Sequence, residues 1–441
     1  MDKMQSIAAR MRGIGMTRHF GQVSAIQGGL ISASGLNSHA SLGDRVMFSM
    51  RSGRTLAGEI VALHTQHAAI LPEGPMDGLS IGTRVELVFA PTLAAANAWI
   101  GRIIDPFGKP LDGRPILAGG EERGFRPPPP PAASRNRLGT RLDTGLAVFD
   151  TILPLVRGQR MGLFAGSGVG KSTLLSALAK GVSADVVVIA LVGERGRELR
   201  EFVEETLGEE GMARSVVVAA TSDQSPLMRR RCAWAAMTVA EHFRDQGKHV
   251  LFLADSITRF AEAHREIALA AGESPSYRGF PPSVSHLIMS LAERSGPGPQ
   301  GSGDITAIFS VLVAGSDMEE PVADILRGVL DGHVVLDRAI AERGRYPAVD
   351  VLRSVSRSLP QAASAPENVL IARARALLGT YAESELMIRA GLYAQGSDPK
   401  LDEAVRLYPA LDQFFTRQSP NARQSFALLA EAMGATPARA V

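Results

Sequence analysis

The sequence predicts an α/β protein, with a parallel-sheet core, a small β-barrel ahead of it and a helical domain behind it. Three observations carry that expectation. The stretch Ala165-Gly166-Ser167-Gly168-Val169-Gly170-Lys171-Ser172-Thr173 fits a phosphate-binding loop: a small residue, four spacers, then Gly-Lys-Ser. Its flanks read as a short apolar strand, Met161 to Phe164, and a helix beginning at Thr173. Around it, apolar runs alternate with long helical stretches: Asp185 to Leu191, Ser215 to Ala220, His249 to Ala254 and Ile305 to Val313. Runs apolar on every residue are what a sheet covered on both faces requires.

Taken in order, residues 1–20 form an N-terminal extension. Met4, Ile7, Ala8 and Met11 give one apolar helical stripe, broken at Gly13. Arg10, Arg12, Gly13 and Gly15 interrupt it, so it does not read as a signal peptide. Residues 21–96 hold short apolar runs between glycine turns, such as Arg45 to Phe48, Glu59 to Leu63 and Arg84 to Val88. Strands so closely spaced suggest a small barrel. A linker-like region follows, with Gly101 to Gly113 and the run Pro127 to Pro131, which reads as an extended spacer. The core is expected over 97–360 and the helical domain over 361–441, where Ser397-Asp398-Pro399 marks a helix start.

Composition narrows the classes. The 441 residues carry 47 basic and 45 acidic side chains, a net charge of +2, which gives no signal for a nucleic-acid coat. One cysteine, Cys232, excludes an internal disulfide framework and fits a reducing, cytoplasmic setting. No apolar run approaches the roughly 18 residues of a membrane span.

The chemistry of the loop dictates its residues. Glycines let backbone N–H groups close around phosphate oxygens, and the helix start adds a positive dipole end. Lys171 supplies charge to the β/γ phosphates and the Ser172 hydroxyl is placed to ligate Mg²⁺. The strand His249 to Ala254 ends in Asp255. In that position a carboxylate binds Mg²⁺ directly or through water, or caps the helix begun by Ser256. The strand from Asp185 runs into Val192-Gly193-Glu194-Arg195-Gly196. Glu194 then sits at a strand's C-terminal end, where open α/β sheets bind ligands, and a carboxylate there can orient water.

Several segments resemble the rotary-type ATPases, the family of the F- and V-type catalytic subunits. They are Leu142-Asp143-Thr144-Gly145, Arg157 to Ala165, the Gly193-Glu194-Arg195 turn, Asp255 to Phe260 and Tyr346 to Arg357. The likeness runs from about residue 20 to residue 420. Within the family, the wording of Phe260 to Leu269 and Pro281 to Val284 is most similar to the export ATPases of type III secretion, flagellar before virulence-type. The resemblance implies a RecA-like core and ATP hydrolysis with Mg²⁺. It puts Lys171 with Gly166 to Thr173 on the phosphates, Ser172 and Asp255 on the metal, Glu194 on the catalytic carboxylate and Arg195 beside it. Arg357 falls on an arginine finger inserted into a neighbouring subunit, and Tyr346 on the residue that stacks on adenine. Phe414 or Phe415 could supply a second aromatic. The implied partners are further copies, forming a homohexamer, a stator-like regulatory protein at the N-terminus, and the export gate, chaperones and export substrates. The implied place is the cytoplasm, peripheral to the inner membrane. One departure is Thr92 to Asn97, which lacks the family's usual glycine-rich wording.

Other functions make different demands. A hexameric RNA motor sharing this core needs stacking aromatics in its N-terminal barrel. Residues 1–96 hold only Phe20, Phe48 and Phe89, with no Tyr or Trp, so no nucleic-acid partner is expected and RNA should leave hydrolysis unstimulated. A non-catalytic subunit would not be expected to keep Glu194. The secretion-like wording disfavours the catalytic subunit of an ATP synthase.

Overall fold

The computed structural model describes residues 17–313 and 318–434. The N-terminal stripe Met4, Ile7, Ala8 and Met11 lies outside the described residues. Among the described residues, six antiparallel strands close into a barrel: Phe20–Gln27, Leu30–Ser34, Ala68–Pro72, Thr55–Leu63, Arg45–Ser49 and Arg84–Leu87, in that order around the ring. Strict alternation builds it, because successive side chains on a strand face opposite ways. Val46 and Phe48 point inward while Arg45, Met47 and Ser49 do not. Ile31, Ile60, Ile70 and Val85 fill the same interior. The first hairpin turns through Gly28 and Gly29 alone, between the paired Gln27 and Leu30. Both glycines have positive φ, 59° and 82°, as a two-residue turn matched to strand twist demands.

Among the described residues, eight strands form the central sheet. Their order is Val349–Ser356, Gly332–Leu336, Arg160–Ala165, Ile305–Leu312, Val250–Asp255, Val186–Glu194, Ser215–Thr221 and Arg102–Ile104. All run parallel except the first, which lies antiparallel to its neighbour. The expected apolar runs are buried almost residue for residue. One segment departs from expectation. Arg102 to Ile104, in the stretch read as linker, pairs in parallel with Val216 to Val218 and edges the sheet. Three residues are too few to print a period. The strand is held from outside instead, by the Arg102 guanidinium on both oxygens of Asp112 at 2.6 and 2.8 Å.

Among the described residues, three helices follow the core: Ala365–Arg389, Pro399–Phe414 and Ala422–Ala432. Each start is capped. Glu367 reaches back to the Ser364 N–H at 2.7 Å, Asp398 accepts from Lys400 N, and Asn421 accepts from Gln424 N. The last helix docks on the core through buried Asp150, which takes Thr144 N–H and Oγ at 2.8 Å and Ser425 Oγ at 3.0 Å. Phe414 and Phe415 lie in this core, 2% and 1% exposed, with Arg345 over the Phe415 ring. Both rings offered as a second adenine contact are thus packed within this chain, and Phe415 also lines a cavity with Arg345 and Tyr408.

Buried charge joins barrel to core. Glu59, from the barrel, accepts from Arg230 and Arg231 at 2.5 Å each, and Arg231 also reaches Glu73 at 3.0 Å. Removing one member of such a group strands the others without solvent. Glu59→Ala is expected to lower unfolding free energy by about 3–5 kcal/mol, read as a fall in the urea midpoint. Glu59→Gln should cost less. A loss below about 1 kcal/mol, as for an exposed pair, would rule out the barrel–core clamp.

Candidate active site at the phosphate loop

The loop sits at the C-terminal end of the strand Arg160–Ala165 and opens the helix Lys171–Gly181. Val169, 2% exposed, anchors it in the core, while Gly168 and Gly170 take φ of 77° and 87° to complete the turn. No side chain caps the helix, so its first N–H groups are open to an anion. Ser172 and Thr173 stand exposed at its start.

Two further strands end beside it. The Lys171 ammonium donates to Asp255 Oδ1 and stands 4.0 Å from Glu194 Oε1. Asp255 also accepts from Ser310 Oγ at 2.6 Å. Its side chain is 5% exposed, and its charge is tolerable only because of these partners. The helix after it, Ile257–Ala270, is capped by Ser256, which accepts from Arg259 N. The neighbour caps the helix, and the carboxylate faces the pocket.

Ser172, Glu194, Glu198, Phe202, Thr206 and Asp255 help line one cavity of about 150 Å³. Burial, then the negative Asp255 nearby, pushes the Glu194 carboxyl up to about 7, with Lys171 opposing. A raised carboxyl is protonated below that pH and ionised above it, and only the ionised form can align water as a base. With kcat/KM reporting the free enzyme, hydrolysis is expected to rise through an acid limb near pH 7. A pH–rate profile flat from about pH 6 to 8 would exclude Glu194 as the titrating base.

The Tyr346 ring lies against the loop, and a Cβ built on Gly170 would come within 3.2 Å of it. The ring is half exposed. Arg195 points to solvent, 80% exposed and 3.5 Å from Glu198, so the structure does not bring its charge to Lys171. Arg357 follows the edge strand at the opposite end of the sheet. Ser356 pairs with Gly332, whereas Leu336 pairs with Ala165 at the loop end. Four residues at 3.3 Å each put about 13 Å between those ends. Its guanidinium donates to the Arg327 carbonyl at 3.1 Å.

Sequence reading missed two arginines. Arg259 packs on Gly193, next to Glu194, with its Cβ 3.3 Å from a Cβ built there. Arg338 donates to the Ser167 carbonyl at 3.2 Å. Both arrive from elements remote in the chain, and only Arg259 lies in a segment that carries the family resemblance.

A parallel sheet with this loop, a lysine–aspartate pair and a partly buried glutamate at strand ends beside it defines a phosphate-loop nucleotide-binding protein. Comparison with known proteins narrows it. Residues 145–356 match the nucleotide-binding domain of the ATP synthase alpha/beta family. Residues 364–435 match the C-terminal domain of the type III secretion ATPase EscN. The flagellum-specific ATP synthase of Caulobacter vibrioides is 44% identical over 97% of this chain and 99% of its own. That of Salmonella typhimurium is 40% identical over 93% and 92%. The assembled EscN ATPase of the enteropathogenic E. coli type III secretion system superposes with a TM-score of 0.86 at 35% identity, covering 94% of this chain and 100% of that one. The chain belongs to the ATP synthase alpha/beta family, in its branch of flagellum-specific and type III secretion ATPases.

Proposed function

We propose that this protein is the ATPase of a flagellar type III protein export apparatus, coupling ATP hydrolysis to delivery and unfolding of export substrates. One observation carries the reading: Lys171, Asp255 and Glu194 converge on the phosphate loop in a chain 44% identical along nearly its whole length to a flagellum-specific ATP synthase. The flagellar system is favoured over the virulence type by that identity, against 35% to EscN.

In this reading the triphosphate lies on Gly166, Ser167, Gly168, Val169, Gly170, Lys171, Ser172 and Thr173, with adenine against Tyr346. Lys171 leaves Asp255 for the phosphates. Glu194 holds the attacking water in line. Charge on the transferring phosphoryl is met by Lys171, by Arg195 after its side chain swings inward, and by Arg357 of an adjoining copy. Placement of fixed charge is the main catalytic contribution in this chemistry. A hard cation fits the oxygen donors of Ser172 and Asp255, which line one cavity. They would hold Mg²⁺, which supplies charge neutralisation on the phosphates.

Arg357 cannot serve its own loop across the sheet, so the site requires an oligomer, and a homohexamer is the proposed form. EscN has been solved both assembled and with its central stalk EscO. A comparable regulatory or stalk protein is proposed here, with the N-terminal extension as the contact for a stator-like protein. The C-terminal helices would meet export gate, chaperones and substrates. Among the described residues no helix is long and apolar enough to cross a membrane, and a peripheral place at the inner membrane's cytoplasmic face is proposed. The test is replacement of the chromosomal copy by Lys171→Ala. Export of flagellar filament protein should stop and Mg²⁺-dependent hydrolysis by the purified protein should be lost. Normal filaments together with normal hydrolysis would overturn the function.

A further inference from the structure

Arg338 lies outside the machinery assigned above. The strands Arg160–Ala165 and Gly332–Leu336 run parallel and finish abreast, with Ala165 opposite Leu336. Two residues further on, one chain segment reaches Ser167 at the crest of the loop and the other reaches Arg338. The Arg338 guanidinium donates to the Ser167 carbonyl at 3.2 Å. Its backbone is fixed. Asp337 Oδ1 accepts from Ala339 N at 2.8 Å and from Ile340 N at 3.2 Å, and Arg353 faces Asp337 at 3.7 Å. The same segment returns to the loop through the Tyr346 ring at Gly170. Segment 338–346 therefore touches the loop at its crest and at its end.

The Ser167 carbonyl shares a peptide plane with the Gly168 N–H, and in a trans peptide the two point in opposite directions. Gly168 sits at φ 77° with open space where a Cβ would be, so its own sterics do little to prevent this peptide from rotating. We propose that Arg338 is a positioning residue for the phosphate loop: by holding the Ser167 carbonyl outward it aims the Gly168 N–H across the loop at the phosphate. Arg338 does not touch nucleotide in this arrangement. It removes a rotation that binding would otherwise have to freeze. The inference rests on the nucleotide-binding reading of the loop.

The experiment uses the full chain with Mg²⁺ and a fluorescent ATP analogue, then ATP turnover. Arg338→Ala should weaken binding and raise KM about 3- to 10-fold, the range of one hydrogen bond from a charged donor at an exposed site. The kcat should change less than about twofold, because the N–H is in place once nucleotide is bound. Arg338→Lys, which keeps a donor and charge, should recover at least part of the affinity. A merely structural role would lower thermal stability without this split. Unchanged KM in Arg338→Ala, a loss confined to kcat, or no recovery with Lys would each overturn the proposal. Should the alanine variant not fold, Arg338→Gln carries the same comparison. Lys171→Ala is the control: if it binds nucleotide like the wild type, the site reading itself fails, whereas a normal Arg338→Ala beside a defective Lys171→Ala sinks only this inference.

Discussion

Glu194→Gln should bind ATP at least as tightly as the wild type and turn it over about 10²- to 10⁴-fold more slowly. The substitution keeps the side chain's shape, so the cavity with Ser172, Phe202 and Asp255 stays filled as before. It removes a carboxyl that burial and Asp255 already push towards neutrality, so binding loses nothing that depended on its charge. Repulsion between two carboxylates beside the triphosphate disappears, which favours nucleotide if anything. Turnover is different, because an amide can hold a water but cannot draw its proton. The acid limb near pH 7 should vanish from whatever activity remains. Equilibrium binding and steady-state hydrolysis on the same preparation separate the cases. Unchanged turnover removes Glu194 from catalysis, and parallel loss of binding and turnover makes it a structural support of the pocket.

What the sequence disclosed about this site follows from how local each feature is. The phosphate loop is one continuous turn whose glycines, lysine and hydroxyl are dictated by the ligand, so nine consecutive residues sufficed. Glu194 and Asp255 were legible as the ends of apolar strands. Their meeting was not, because it depends on sheet order. The strand carrying Asp255 lies between those carrying Glu194 and Ser310, an order no local pattern encodes. Arg338 was hidden for the same reason. Its contact with Ser167 exists because Gly332–Leu336 pairs with Arg160–Ala165, two strands separated by most of the core. The edge strand Arg102–Ile104 was too short to show a period, and its pairing with Val216 to Val218 is set from the far side. Phe414 and Phe415 were offered to adenine by the resemblance, and their burial was not legible, because it depends on how the C-terminal helices pack, with Arg345 over the Phe415 ring.

Arg357→Ala should slow hydrolysis by about 10³- to 10⁵-fold, the contribution of an arginine that meets a transferring phosphoryl group, while each chain still binds nucleotide. Two facts support an effect so large for an exposed residue. Among the described residues the Arg357 guanidinium donates to the Arg327 carbonyl, a contact whose loss an exposed site barely registers. It also stands at the end of the sheet opposite its own loop, beyond the reach of one side chain, so any catalytic role must be exercised on another copy. That makes a mixing experiment decisive. Lys171→Ala chains lack a working loop but present Arg357, and Arg357→Ala chains have the converse defect. In rings assembled from equal amounts, about a quarter of the head-to-tail boundaries join a good loop to a good arginine, and hydrolysis should recover towards that fraction. An arginine acting in cis predicts no recovery at any ratio, because every chain then carries one complete defect. If both variants assemble and the mixture stays inactive, the shared site is wrong, and the phosphoryl charge must be met within one chain, by Lys171 with Arg195 or with Arg259, which packs on Gly193.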